Sequence, residues 1–477
     1  MKKLFVSAVI ADLGLLAMPI NSFAQKTDSE QVHPNVIIIM ADDLGWGDVG
    51  YNGNKEVKTP NIDKMSTDGI QFSRYYTAAP LSSPTRGSIL TGRHPFRFGV
   101  LAAHTGGLRQ GEITIPEICK KNDYATGFFG KWHLGWVESE EVESKGFYSP
   151  PWQHGFDVAF ATKSAVPTWN PTKTPAHWKG FGAKDDGSWG GSRYVMNGTV
   201  VTENLEGDDS RVIMDRAIPF IKDAVKSKKP FLATIWFHAP HEPVAAGPEY
   251  LAMYKNIQPE IKQHYYGCIT AMDDQIGRLR EMLREMGVDK NTMIFFSSDN
   301  GPADPLVKKD VASAGEFRGH KHMIYEGGIR VPSLLVWPGT INANKKVDTR
   351  MCSYDYLPTI VDLANLKFKK KPEYFVDGIS MKQAILGSEK IVRDSTIFTA
   401  WMRMVDGTYG RALVGEQYKL LIPEKSKVPE LYDIQNDPYE KTNVIAKFPL
   451  VAEAMLKELA RWEKSCQDSQ NGNDYDY

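Results

Sequence analysis

The sequence predicts an α/β protein: a large, mostly parallel sheet sandwiched by helices, followed by a smaller C-terminal α+β subdomain with an antiparallel sheet. Three observations carry this. Four short apolar runs rich in β-branched and aromatic residues, Val36 to Met40, Tyr124 to Phe129, Phe231 to Phe237 and Met293 to Ser297, read as strands buried on both faces. Helical patterns lie between them; the clearest runs from Pro259 to Met286. There Ile261, Tyr265, Ile269, Met272, Ile276, Leu279 and Leu283 recur every three or four residues, and Gly287 supplies a stop. After about Gly387 the pattern changes to the strand-like TIFTAW, GRALVGEQYKLLI and ELYDI, then a helix from about Phe448 to Lys464.

The chain has 477 residues, 42% of them hydrophobic, enough for one large core or two unequal ones. Its formal net charge of −1 gives no whole-molecule field for nucleic acid or an anionic membrane, so an anionic ligand must meet a local cluster of cations. Residues 1–24, with Lys2, Lys3, a short apolar run and small residues before Gln25, read as a cleavable signal peptide. The mature chain is therefore expected to be secreted or periplasmic. That run carries Asp12 and is short for a span, so no membrane insertion is expected. The expected organisation is a catalytic domain over 25–387, the subdomain over 388–466 and a disordered polar tail over 467–477. Within the first lies an irregular Trp-, Gly-, Pro- and Lys-rich insertion from about Tyr148 to Gly207. Cys119, Cys268, Cys352 and Cys466 lack CxxC spacing and read as buried free thiols.

Each predicted strand is followed at once by polar residues. Asp42 and Asp43 follow the first, Lys131 and His133 of GKWHLG the second, His238 and His241 of HAPHEP the third, Asp299 and Asn300 of SSDNG the fourth. Open α/β sheets bind ligands outside the carboxyl ends of their strands, so these groups should meet in one crevice. Asp42, Asp43, Asp299 and Asn300 offer only hard oxygen donors, which suit Ca²⁺ or Mg²⁺; the alternative is that both pairs are turn and cap residues. Arg86, Lys131, His133, His241 and Lys321 would line a pocket for a compact oxyanion and could shuttle protons. His238 and His241 could also hold zinc, but no HExxH pattern supports them.

The segment PLSSPTRGSILTGR, residues 80–93, presents serine at a helix start: Ser82 or Ser83 suits the cap, Pro84 the first helical position and Gly92 the stop. This segment, with IIIMADDLGWGDVG, GKWHLG, HAPHEP, SSDNG, RGHKHMIYEGGIRVP and ELYDIQNDPYE, resembles the formylglycine-dependent sulfatases of the alkaline phosphatase superfamily. The resemblance spans nearly the whole mature chain in the family's order.

It implies that Ser82 is oxidised to formylglycine, which hydrates to a gem-diol. Serine in place of the commoner cysteine marks a subset matured by a radical SAM enzyme. It further implies that the metal rests on Asp42, Asp43, Asp299 and Asn300, with Ca²⁺ preferred and Mg²⁺ possible. Lys131 and Arg86 would offset charge, His241 or Lys321 would protonate the leaving sugar oxygen, and His133 would take a proton from the second hydroxyl. The implied substrate is a sulfated saccharide, such as a sulfated galactose or N-acetylgalactosamine. Trp152, Trp169, Trp178 and Trp189 could stack on its sugar faces or serve as loop anchors. Two other readings stay open: a phosphodiesterase or phosphonate monoester hydrolase of the same superfamily, and an unmatured, non-catalytic protein that binds sulfated glycans.

Overall fold

The computed structural model describes residues 33–138, 147–387 and 391–475, together with Met1. The expected signal peptide and the boundary at 387/388 fall outside the described residues. In chain order the elements used below are β1 (Asn35–Ala41), α1 (Pro60–Asp68), β2 (Ile70–Phe72), β3 (Tyr75–Tyr76) and α2 (Ser82–Thr91). Then come β4 (Ala125–Lys131), β5 (Val158–Thr162), β6 (Val195–Met196), β7 (Thr199–Val200), α3 (Asp209–Lys226), β8 (Phe231–Trp236) and α4 (Glu260–Glu285). These are followed by β9 (Thr292–Ser298), β10 (Ser333–Val336), β11 (Lys345–Val347), β12 (Met351–Cys352) and α5 (Tyr356–Leu363). The last are β13 (Ile397–Met402), β14 (Tyr409–Val414), β15 (Tyr418–Ile422), β16 (Glu430–Asp433) and α6 (Pro449–Gln470).

Ten strands form one sheet in the order β11-β2-β10-β9-β1-β8-β4-β5-β6-β7. The four strands read from the sequence are its adjacent centre, and with β5 they are all parallel. Their apolar character follows from burial on both faces. In β1, Ile37, Ile39 and Ala41 enter a core with Val212, Ile213, Ile269 and Met272 of α3 and α4. Val36, Ile38 and Met40 point the other way, into a core with Ile89, Leu90, Leu357 and Ile360 of α2 and α5. A strand with period-two side chains sandwiched by helices needs apolar residues at every position. The helix expected over Pro259 to Met286 is α4, with Pro259 as its N-cap. All four cysteines are buried and free, and burial pushes their thiols up.

The C-terminal strands form an antiparallel meander, β13-β14-β15-β16. The single run GRALVGEQYKLLI divides into β14 and β15 at Gly415 to Gln417. One face of this sheet, with Ile397, Trp401, Val414 and Leu421, packs on Tyr76, Leu81, Ile324 and Ile329 near the start of α2. The other, with Ala400, Leu413, Leu420 and Leu431, packs on Leu459 and Trp462 of α6. On the inward face Lys419 is fully buried, its Nζ 2.9 Å from Glu326 Oε1 and 2.8 Å from Glu440 Oε1.

The polar tail differs from its expected disorder. Helix α6 continues past Lys464 to Gln470, Arg97 donates to Ser465 and Ser469, and Asp474 accepts from Arg93 at 2.6 Å. A composition that suits solvent is held instead by buried arginines. Leaving one member of a buried ion cluster without its partner costs roughly 3–5 kcal/mol. Lys419→Met is therefore expected to lower unfolding free energy by about that amount, read from denaturant unfolding; an unchanged midpoint would contradict it.

Candidate functional site

The first turn of α2 begins at Ser82, with Leu81 as its extended N-cap and Pro84 at the third position. This moves the helix start two residues ahead of the expected one. The change is tolerated because the first N–H groups of a helix have no intrahelical acceptor, so Pro84 sacrifices no bond. Gly92 ends α2 as expected, at φ +68°, its N–H donating to Ser88.

Backbone hydrogen bonds between the strand ends register the loops beyond the sheet. Asp42 N donates to Ala239 O, Phe237 N to Met40 O and Asp299 N to Ala41 O. Asp43 and His133 adopt left-handed backbone, φ +63° and +58°, which turns their side chains back over the sheet edge. The loop carrying Lys321 is brought close by glycines: a Cβ at Gly301 would lie 1.9 Å from Gly327 O, and one at Gly328 1.9 Å from Met323 O. Lys321 N then donates to Pro302 O.

The side chains meet as an interlocked set. Ser82 Oγ, 1% exposed, donates to Asp42 Oδ1 at 3.1 Å or Asn300 Oδ1 at 3.3 Å. Lys131 Nζ reaches Asp42 Oδ2 at 2.6 Å, Arg86 reaches Asp299 Oδ2 at 2.7 Å and Asp42 Oδ1 at 3.3 Å, and Lys321 Nζ reaches Asp43 at 2.7 and 2.8 Å. Asn300 Nδ2 donates to Asp43 Oδ1 at 2.7 Å, which leaves its Oδ1 facing Ser82. Arg86 also donates to Lys131 O and lies against the Trp236 ring.

Burial alone would raise the Asp42 and Asp43 carboxyls, but Lys131 beside the first and Lys321 beside the second hold both down. Asp299 behaves oppositely: burial and then the neighbouring Asp42 push it up to about 7, and Arg86 does not offset them. Asp42, Asp43, Asp299 and Asn300 converge on one point, linked through Arg86, Ser82 and the Asn300–Asp43 hydrogen bond. With only hard oxygens from Asp42, Asp43, Asp299 and Asn300, it fits a divalent cation of the Ca²⁺ or Mg²⁺ type. Asp42, Asp43 and His241 also bring one ligand atom each within 4.8 Å of one another. The His241 Nδ1–H is turned to Glu242 O at 2.6 Å, leaving Nε2 3.7 Å from Asp43 Oδ2.

Burial and then Lys131 hold His241 down at about 4 and His133 well below the usual histidine range, so both rings are neutral at pH 7. Burial alone would lower Lys321, but Asp43, Asp42 and Asp299 together raise it. Burial lowers Lys131. His133 Nε2 lies 3.4 Å from His104 Nε2, while its Nδ1 is buried without a hydrogen-bond partner among the described residues.

Ser82, His133, His241 and Lys321 line one cleft of about 1180 Å³, and the other predicted site residues, Arg86, Lys131, Asp42, Asp43, Asp299 and Asn300, are buried. His238 is not part of this group. It is fully buried with Nε2 on Thr162 Oγ1 at 2.8 Å and Nδ1 on Asp209 Oδ2 at 2.8 Å, so neither nitrogen is available for zinc.

The four tryptophans of the insertion divide. Trp178 and Trp189 line the cleft, whereas Trp152 packs on a core and Trp169 abuts Gly247, where a Cβ would lie 2.3 Å from its ring. Several lining residues escaped the sequence reading, among them His104, Phe181 and Trp136. His104 belongs to no motif, Phe181 sits in a stretch without period, and Trp136 follows GKWHLG by one residue, a position that could have flagged it.

Comparison with known proteins identifies the family. The model of the sulfatase family matches residues 34–366, and that of the N-sulphoglucosamine sulphohydrolase C-terminal region matches 315–465. N-acetylgalactosamine-6-sulfatase of Rattus norvegicus is 30% identical over 378 residues, 76% of this chain and 67% of that protein. The crystal structure of Ps i-CgsB in complex with k-i-k-neocarrahexaose superposes with a TM-score of 0.79 at 30% identity, covering 92% of this chain and 94% of the other. Phosphonate monoester hydrolase of Agrobacterium radiobacter shares the fold, at a TM-score of 0.62 and 19% identity over 91% and 96% of the two chains. With the family model covering residues 34–366, this chain belongs to the sulfatases of the alkaline phosphatase superfamily, which hydrolyse sulfate esters.

Proposed function

We propose that the chain is exported and removes sulfate from a terminal galactose or N-acetylgalactosamine residue of a sulfated glycan, using formylglycine made from Ser82 by a radical SAM maturase. The observation that carries the reading is the surroundings of Ser82. Among the described residues its Oγ has Asp42 and Asn300 as hydrogen-bond partners. Neither is a useful base, since Asp42 is held well below the usual carboxylate range and Asn300 is an amide. A plain serine there has no group to activate it. The names of the similar proteins, an N-acetylgalactosamine-6-sulfatase and a protein captured with neocarrahexaose, support the choice of sugar.

Oxidised and hydrated, position 82 supplies a nucleophilic hydroxyl and a recoverable aldehyde, and a divalent cation on Asp42, Asp43, Asp299 and Asn300 supplies Lewis acidity. Ca²⁺ is favoured over Mg²⁺ because four protein oxygens are on offer and Mg²⁺ keeps more of its water. Lys131 and Arg86, fully buried and both paired with Asp42, the partner of Ser82, offset negative charge on the transferring group. Lys321 and His241 face the cleft where the departing sugar oxygen needs a proton. Lys321 arrives protonated, whereas neutral His241 keeps its Nδ1 proton on Glu242 and helps position the sulfate. Neutral His133, which lines the cleft and whose Nδ1 has no hydrogen-bond partner among the described residues, accepts a proton.

The test uses protein co-produced with a maturase and matched aryl sulfate and phosphate esters. Sulfate release is expected to lead and Ser82→Ala to show none; phosphate clearly ahead would overturn the reading, as would absence of release by the oxidised protein. For the metal, EDTA is expected to lower the thermal midpoint and Ca²⁺ to restore it. At 100 times its dissociation constant a cation stabilises by about 2.7 kcal/mol. Asp299→Ala should lose that response, and a chelation-insensitive midpoint with no bound metal would refute the oxygen set.

A further inference from the structure

We infer that Trp178 and Phe181 form a second sugar subsite, so that the preferred substrate is an oligosaccharide rather than a sulfated monosaccharide. This rests on the proposed sugar sulfatase function and adds to it where the rest of the substrate lies. Phe181 is 80% exposed and Trp178 half-buried, yet the loop carrying them is firmly built. Trp189 N donates to Thr172 O at 2.9 Å, Thr174 N to Gly187 O at 2.9 Å and Gly190 N to Gly182 O at 2.7 Å.

Glycines seat the two indoles. A Cβ at Gly180 would come within 2.5 Å of the Trp178 ring, and one at Gly182 or Gly191 within 2.4 or 2.6 Å of Trp189. Trp178 Nε1 donates to Phe181 O at 3.0 Å, which fixes the indole plane relative to its neighbour. Trp189 packs against the core beneath and explains itself structurally. Trp178 and Phe181 lie further out; the Trp178 indole is held by Gly180 and by its bond to Phe181 O, and the adjacent Phe181 ring is exposed beside it.

That place is the wall of the cleft that ends at Ser82. Its 1180 Å³ exceeds the roughly 300–1,000 Å³ that encloses a drug-sized ligand, more than one sulfated sugar requires. Both rings line the same cleft as Ser82, so a ligand longer than one sugar can reach them with its sulfate at Ser82. A pyranose ring has an apolar C–H face and a hydroxylated edge, which suits exposed aromatic rings in a wet cleft.

The experiment compares wild type, Trp178→Ala/Phe181→Ala and Trp178→Phe on three probes. These are 4-nitrophenyl sulfate, the 4- and 6-sulfates of galactose and N-acetylgalactosamine, and trisaccharides ending in those sulfated residues. Wild type is expected to show kcat/KM at least roughly tenfold higher on its preferred trisaccharide than on the matching monosaccharide. The double variant should lose that advantage through KM while keeping its rate on the aryl ester, and Trp178→Phe should retain most of the trisaccharide advantage. Equal wild-type rates on monosaccharide and trisaccharide, refusal of every trisaccharide by an enzyme that cleaves the aryl sulfate, or equal losses on the aryl ester would each overturn the subsite. Failure of oxidised wild type on the aryl sulfate would overturn the sulfatase function instead.

Discussion

Three buried carboxylates held against three buried cations are the constraint on which this molecule depends. Asp42, Asp43 and Asp299 stand at the ends of β1 and β9, and Lys131, Arg86 and Lys321 reach them from the end of β4, from α2 and from the loop before β10. Taking such charges out of water is unfavourable, and removing one partner leaves another uncompensated. Every element contributing to the set must therefore be in register. The parallel centre of the sheet, the hydrogen bonds linking the strand ends and the glycine contacts beside Asn300 all serve that register. Ser82 sits among these groups because α2 packs its Ile89 and Leu90 on the face of the sheet that also receives Val36, Ile38 and Met40.

The C-terminal sheet extends the same logic. Its inward face covers the residues around the start of α2, and Lys419 joins it to Glu326 and Glu440 through a second buried ion cluster. On its other face α6 carries the chain back to Arg93 and Arg97, close after the helix that bears Ser82. The helix that begins at Ser82 is thus bounded by a sheet on one side and a terminal clamp on the other.

How much of this was legible in the sequence follows from what was buried. The four central strands stand out because both their faces are covered, and the chemical residues stand out because they follow those strands at once. Tyr124 to Phe129 ended short of Lys131 only because a glycine and a lysine look like a loop; in the structure Lys131 is the last residue of β4. The two- to four-residue strands β2, β3, β6, β7, β10, β11 and β12 carry too few side chains to show a period. His104 could not be found, since only the fold brings it to His133. The tail misled for the opposite reason: Asp474 looks solvated until Arg93 is placed beside it. The insertion gave up its composition but not its geometry, because which tryptophans anchor and which line the cleft depends on glycine contacts distant from any periodic pattern.

The account turns on the chemical state of position 82. The direct measurement is mass spectrometry of the tryptic peptide Tyr75 to Arg86 from protein made in its native host. The account predicts a peptide lighter by two hydrogens, with the change localised to Ser82 and the product captured by an aldehyde-reactive probe. An intact serine in protein that nevertheless hydrolyses sulfate esters would contradict it.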